Sequence, residues 1–366
     1  MMVLGSPDHI VYNGKSFMQP FVRYIVPNEL GNECLKSNAK WKVSAIGSFE
    51  RRYGGQDLNG KSIAIIRYHG IGDMLMVTGL VKYLHDKYPE AIIHFYCLDS
   101  YASSVWHQNE DLTSKGYIPL PMTLDGMRQY DYHLFYDGMI EHNAEYDQNN
   151  AYDDMFAFAG LHDVPDQYKH PYIYESDKDA EWAKAEGIVL DEPYILVQIH
   201  SSSDIRTYPP EQTAEMLKLC LKRFPEHKII LVGEVMHDVI KEVSDNRIIS
   251  AVGKMNAWRS MIPLVKNANA IVCPDSSISH IAAVFPEVPV VSLWGAFSFA
   301  SRAKYYTNHH PIEVKVCPHQ PCWTHGMTIP KDKCKDCESF SNGEKYCSGM
   351  RAITPESIVE KLEVVM

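Results

Sequence analysis

Four stretches of the chain hold residue types that do chemistry. The first is RYHGIGD, Arg67–Asp73, where Gly70 and Gly72 lead to a lone carboxylate, Asp73, at the mouth of a helical pattern. Such a carboxylate can be a helix N-cap or a general base. The glycines let a ligand approach the backbone closely. Neither a G-x-G-x-x-G run nor a G-K-[ST] ending is present, so the loop is not a dinucleotide fingerprint or a P-loop. The second stretch is HSSSDIRTYPPEQ, His200–Gln212. The hydroxyls of Ser201 and Ser202, the backbone N–H groups and the Arg206 guanidinium suit a diphosphate, while a solvated turn with capping serines is the plain alternative. The third is CPDSSISHIAAVF, Cys273–Phe285, with Asp275, Ser276, Ser277 and His280 at a strand-to-helix passage. The free N–H groups of a helix start bind anions, and an Asp-Ser pair also serves as an ordinary cap. The fourth is cysteine-rich. Cys317, Cys322, Cys334, Cys337 and Cys347 make a C-x4-C, a C-x2-C and a later thiol. Structural zinc remote from the chemistry is one reading, because zinc takes four such ligands. Loose thiols and a disulfide are the others.

The elements that must position these residues alternate. IAIIRY, from Ile63, is an apolar run suited to a buried parallel strand, and MLMVTGLVKYLHDKY, from Met74, has helical spacing. AIIHFYCL and YDYHLFYD read as further strands, and NNAYDDMFAFAGL as a helix ended by Gly160. A charged stretch at 175–192 marks a boundary. Beyond it YILVQIH, KIILVG, AIVCPD and VPVVSLWG are strands separated by helical segments. Two successive β-α-β series predict an α/β protein of two doubly wound parallel-sheet domains, with ligands at the carboxyl ends of the strands. The expected division is a first domain at 1–180, with 1–60 irregular, and a second at 190–350 that carries the cysteine-rich segment 317–347. Thr354 as cap, Pro355 in the first turn and Glu356 beside the positive helix end predict a closing helix over 354–366.

The bulk numbers narrow the class. The chain has 366 residues, 45% of them hydrophobic and 22% charged, with a net charge of -11. An acidic chain argues against extended nucleic-acid binding, which needs a basic face. No run of apolar residues is long enough for a membrane span, and the start lacks a signal-peptide pattern. A cytoplasmic location follows as an expectation, with peripheral membrane contact left open, and nine cysteines fit there as thiols or ligands.

Taken in order, RYHGIGDMLMVTGLVKYLHDKYP, HSSSDIRTYPPEQ with LVG, and AVGKMNAWRSMIPLVKNANAIVCPDSSISHIAA, followed by VVSLWGAF, resemble the ADP-heptose:lipopolysaccharide heptosyltransferases of glycosyltransferase family 9 over residues 61–366. The resemblance implies a GT-B fold, two Rossmann-like domains around a cleft. It implies an acceptor-binding first domain, a nucleotide-sugar-binding second domain, and inverting transfer with no cofactor for catalysis. It makes Asp73, beside Gly72, the general base. Ser201, Ser202 and Arg206 match the hydroxyl pair and basic residue near the donor phosphates, with arginine in place of the usual lysine. Asp275, Ser276, Ser277 and His280 match the D-[ST]-G-x-x-H segment, with Ser277 in place of its glycine. Glu234, after LVG, falls where the family often places a residue near the nucleotide ribose. The family's Gly-Pro-Thr after the last strand is Gly295-Ala296-Phe297 here.

The implied activity is glycosyl transfer, of heptose or another sugar, from a nucleotide-diphosphate sugar, with an ADP-sugar favoured, to a hydroxyl of a glycan or glycolipid. Asp137, Glu141, His142, Asp147 and Tyr152 offer groups for such an acceptor. Competing readings are a non-catalytic nucleotide-sugar or glycan-binding protein, a GT-B nucleotide-sugar epimerase, and a glycosyltransferase acting on DNA bases.

Overall fold

The structure is a computed structural model. It describes residues 51–137 except 69, 99 and 100, then 149–185, 192–233, 242–251, 258–317, 320 and 345–366, together with the backbone of five short strands between 2 and 45. Contacts divide the chain into two units, residues 1–140 with 155–164, and residues 141–154 with 165–366.

The first unit opens on the five strands β1 (Met2–Gly5), β2 (Ile10–Tyr12), β3 (Ser16–Met18), β4 (Arg23–Val26) and β5 (Lys42–Ala45). β1 lies antiparallel between β4 and β5, and β2 pairs with β3 as a hairpin. An irregular stretch is the expectation for 1–60, and these strands correct it. Each is three or four residues long, too short for alternation to register as a period.

The main sheet of this unit follows from β6 (Ser62–Ile66), β7 (Ile92–Cys97), β8 (Tyr117–Pro119) and β9 (Tyr132–Phe135). All pairings are parallel, in the order β8-β7-β6-β9. Ile63, Ala64, Ile65 and Ile66 are wholly buried, as an apolar run flanked on both sides requires. The helix Ile71–Lys87 returns from the end of β6 and buries Met74, Leu75, Val77, Leu80, Val81 and Leu84. Gly160 ends the helix Ala151–Phe158 at φ +71, and lies so close to Gly54 and Gly55 that a Cβ there would strike the Gly54 carbonyl. The backbone N–H of Gly160 donates to the Ala157 carbonyl, and that of Leu161 to the Phe156 carbonyl.

The second unit has six parallel strands, β10 (Tyr194–Val197), β11 (Lys228–Leu231), β12 (Ile248–Ser250), β13 (Ala270–Pro274), β14 (Val290–Trp294) and β15 (His309–Glu313). Their order is β12-β11-β10-β13-β14-β15. Counted within the unit this is 3-2-1-4-5-6, the doubly wound arrangement in which the strand order reverses between β10 and β13. β10, β13 and β14 are buried along their whole length. The helix Pro210–Arg223 and the closing helix Pro355–Val365 cover one face, where Leu217, Ile358 and Leu362 join Ile195, Val197, Val272 and Val291 in one core. The closing helix starts as its sequence implies: the Thr354 hydroxyl accepts from the Ser357 N–H at 3.2 Å, and Pro355 is its first residue.

The charged stretch read as a boundary is a helix, Asp177–Ala185, held in the second unit by a buried ion pair. Asp179 accepts from Arg259 Nε and from a terminal nitrogen of the same guanidinium, both at 2.7 Å, and Arg259 also donates to the Tyr174 carbonyl.

Candidate active site

In the first unit the strand order reverses between β6 and β9, and the Gly70–Asp73 loop leaves the carboxyl end of β6. Gly70, at φ 95 and ψ 103, caps the helix, with no side-chain cap bond. Asp73 is therefore not the N-cap; it is the third residue of the helix, Gly72 the second. Its carboxylate meets the positive end of the helix and forms an ion pair, 2.8 Å from Arg67. Arg67 is buried and donates its other terminal nitrogen to the Tyr136 carbonyl at 2.8 Å, so the guanidinium that holds Asp73 is itself held. A Cβ on Gly70 would lie 2.6 Å from Asp73 Oδ2. Gly70 thus supplies both the left-handed backbone and the space the carboxylate fills. Beside it, the Asp137 carboxylate accepts from the Tyr68 N–H at 3.2 Å.

In the second unit the two stretches flanking the reversal come together. Ser201 to Arg206 follow β10, and Asp275 to His280 follow β13. The Ser201 hydroxyl donates to the Asp275 carbonyl at 3.0 Å, and its backbone N–H donates to the Thr207 hydroxyl at 3.1 Å. One nitrogen of Arg206 donates to the Asp275 carboxylate at 3.1 Å and another to the Ser202 hydroxyl at 2.7 Å. The helix after these serines, Pro210–Arg223, is entered through Pro209 without a side-chain cap bond, so the serines do not cap it. Ser276 is the N-cap of the six-residue helix Ser277–Ala282, yet its hydroxyl turns away from that helix and donates to the Gln198 side-chain oxygen at 2.5 Å. Ser277 is half-buried at the first helical position. His280, one turn on, is buried and meets the Tyr306 hydroxyl through Nδ1 at 2.6 Å.

Phe297 occupies the loop where the resemblance places threonine. The ring is buried, and the guanidinium carbons of Arg206 and Arg302 lie 5.8 and 5.2 Å from its centroid. Arginine stacks well on such a face. Gly295 is a packing site: its Cβ would meet Met350 at 2.5 Å, and its carbonyl accepts from Gln320 at 2.7 Å.

Sequence reasoning brought Ser201, Ser202, Arg206, Asp275 and Ser276 to one place, and the structure puts them within hydrogen-bond reach of one another or of Gln198. It missed Gln198, Thr207, Arg302, Tyr306 and the partnership of Tyr152. Thr207 and Gln198 stood inside quoted stretches and Tyr152 was read only as an acceptor group; Arg302 and Tyr306 carry no local signal. Glu234, Glu141, His142, Asp147, Cys322, Cys334 and Cys337 lie outside the described residues. Cys317 and Cys347 are half-buried.

The model of glycosyltransferase family 9 (heptosyltransferase) matches residues 124–329, more than half of the chain, in a span that begins after Asp73. No curated protein matches the chain. Among solved structures, ADP-heptose lipopolysaccharide heptosyltransferase II of E. coli superposes with a TM-score of 0.62 at 16% identity, covering 83% of this chain and 98% of that one. A family 9 glycosyl transferase from Veillonella parvula gives 0.58 at 14% identity, with 85% and 98% covered. TibC, an iron-containing dodecameric glycosyltransferase of enterotoxigenic E. coli, gives 0.56 at 10% identity, with 89% and 81% covered. These likenesses establish the GT-B class of the two parallel-sheet units. With the family match and the diphosphate-suited groups at the strand reversal, they lead to one conclusion: the chain belongs to glycosyltransferase family 9 (heptosyltransferase), and is a glycosyltransferase that uses a nucleotide sugar.

Proposed function

We propose that the chain transfers a sugar with inversion, from an ADP-linked sugar to a hydroxyl of a glycan or glycolipid, with no metal in the transfer step. The observation that carries this reading is the cluster at the β10/β13 reversal, where Arg206, Ser201, Ser202 and the start of the helix Ser277–Ala282 present positive and hydrogen-bonding groups. A departing nucleoside diphosphate gains negative charge as the glycosidic C–O bond breaks. Donors already in place stabilise that charge without reorganising. Arg206 is pre-oriented by Asp275, which directs one edge of the guanidinium and leaves the planar fork in a fixed attitude.

On the acceptor side Asp73 takes the hydroxyl proton as the oxygen attacks the anomeric carbon. Arg67, fixed by the Tyr136 carbonyl, fixes the carboxylate in turn. The ADP preference and a heptose-like donor are inferred from the family. E. coli heptosyltransferase II, named for ADP-heptose, supports the preference. Calorimetry with ADP, UDP, GDP and CDP in metal-free buffer tests it. ADP is expected to bind selectively; selective binding of another diphosphate would discard the ADP-sugar inference, and binding of none would bring forward the reading of a chain that has lost catalysis.

The cysteine-rich segment is a separate matter. Thiolates spaced C-x4-C and C-x2-C form a donor set that fits a tetrahedral metal, and we assign Cys317, Cys322, Cys334, Cys337 and Cys347 as the pool from which four ligands hold a structural zinc. TibC is described as iron-containing. Elemental analysis of chelator-free protein is expected to return about one zinc per chain; iron instead would change the metal, and neither would leave the thiols metal-free.

A further inference from the structure

Behind His280 lies a run of hydrogen bonds that transfer itself does not call for. Tyr152, Tyr306 and His280 are all buried in the second unit. The Tyr152 and Tyr306 hydroxyls are 2.9 Å apart, and the Tyr306 hydroxyl is 2.6 Å from His280 Nδ1. The rings meet edge to face, at 6.0 Å for the two tyrosines and 5.7 Å for Tyr306 with His280.

The direction of the run can be worked out. Burial pushes both phenols well up, so each keeps its single proton. Among the described residues the Tyr152 hydroxyl has one hydrogen-bond partner, the Tyr306 oxygen. A buried O–H without an acceptor is costly, whereas an unused lone pair is tolerated. Tyr152 therefore donates to Tyr306. The one proton of Tyr306 is then left for His280 Nδ1, which must accept. A ring nitrogen that accepts carries no hydrogen, so the imidazole proton sits on Nε2. The reverse run would leave the Tyr152 proton without an acceptor among the described residues. The surroundings agree. His309, whose ring lies tilted against Tyr306 with centroids 5.1 Å apart, is held by Ser279 and Asn308, and burial drives it down to about 3, so it adds no charge. The charges of Asp275 and Arg302 act on Tyr306 in opposite senses.

We infer that Tyr306, backed by Tyr152, is a positioning residue that locks His280 in the Nε2–H form, making it a hydrogen-bond donor to the nucleotide sugar's diphosphate. The inference rests on reading the β10/β13 cluster as the donor site. An uncharged donor fits there because Arg206 already supplies a cation and Asp275 an anion.

The test uses the full chain labelled with ¹⁵N-histidine. Long-range ¹H–¹⁵N correlation, with the His280 signals assigned by their loss in His280→Gln, is expected to show Nδ1 as the bare nitrogen and Nε2 as the protonated one. In Tyr306→Phe the two forms should mix, and ADP should bind about tenfold more weakly, with the melting temperature lowered by a few degrees because the buried Tyr152 hydroxyl loses its acceptor. Tyr152→Phe, which keeps the Tyr306–His280 bond but frees the Tyr306 proton to reorient, should give a smaller change of the same kind. A wild-type spectrum with the proton on Nδ1 would overturn the inference, as would an unchanged tautomer in Tyr306→Phe. If Tyr306→Phe does not fold, the wild-type spectrum and Tyr152→Phe still decide. A locked Nε2–H form in a protein that binds no nucleotide would keep the lock and discard the donor site.

Discussion

At the scale of single residues, the carboxylate at the helix mouth is the most exposed claim. General-base assistance is worth roughly 10²–10⁴-fold, so Asp73→Asn is expected to lower the transfer rate by about a thousandfold in steady-state assays while ADP affinity stays within about twofold. Retained turnover would remove Asp73 from the mechanism. Gly70 gives a subtler probe. An alanine there needs a left-handed backbone and puts a methyl group where Asp73 Oδ2 now lies, so Gly70→Ala should disturb the carboxylate more than the fold. The expected outcome is a fall of about tenfold or more in kcat with a melting temperature lowered by only a few degrees. What the sequence disclosed at this scale was local. Arg206, Ser201 and Asp275 sit in short motifs whose residue types announce phosphate chemistry. Tyr306 was silent, and Tyr152 was read only as an acceptor group, because each acts through a partner 26 or 154 residues away and a tyrosine in KYYTN or NAYDD says nothing of that partner. Arg67 stood in a quoted motif, but nothing in its spacing said that it would bury itself beside Asp73.

At the scale of elements, the strands that carry the site were legible for a physical reason. β6, β10, β13 and β14 are covered on both faces, and a doubly covered strand is an unbroken apolar run. The three- and four-residue strands at the N-terminus had no such run and were missed. Glycine close approach gives this scale its prediction. Gly160 must be glycine for two reasons, its φ of +71 and the Gly54 backbone against it; Gly60, at φ +65, has the first reason alone, with nothing within 4 Å of a Cβ. Gly60→Ala is expected to cost about 1 kcal/mol and Gly160→Ala about 3 kcal/mol, by urea denaturation. Equal costs would show that the Gly54–Gly160 approach relaxes freely.

At the scale of the whole molecule, two units with separate cores carry a net charge of -11, and among the described residues no helix is long and apolar enough to cross a membrane. Buried neutral histidines shape the acid response of both units. His309 in the second unit is driven from 6.5 down to about 3 by burial, and burial also lowers His133 in the first. Between those values the unfolded chain binds a proton that the folded chain refuses, so stability rises with pH across this window and is lost as pH falls from 6.5 toward 3. One such group contributes about 1.4 kcal/mol per pH unit. Denaturation midpoints are expected to drop between pH 7 and pH 5, and His309→Gln should flatten the slope; an unchanged slope would mean that other groups govern it.

The chain's path through its units has a practical outcome. Residues 141–154 belong with 165–366, while 155–164 belong with the first unit, so the polypeptide passes from one to the other three times. Asn150, Tyr152 and Asp153, which bond to Ala300, Tyr306 and Tyr305, precede the last crossing. A second unit excised at the charged stretch near 190 would lack all three, and with them the far end of the hydroxyl run behind His280. Swapping the C-terminal half between relatives would therefore sever a unit rather than transplant one; a transplant has to carry the 141–154 segment along.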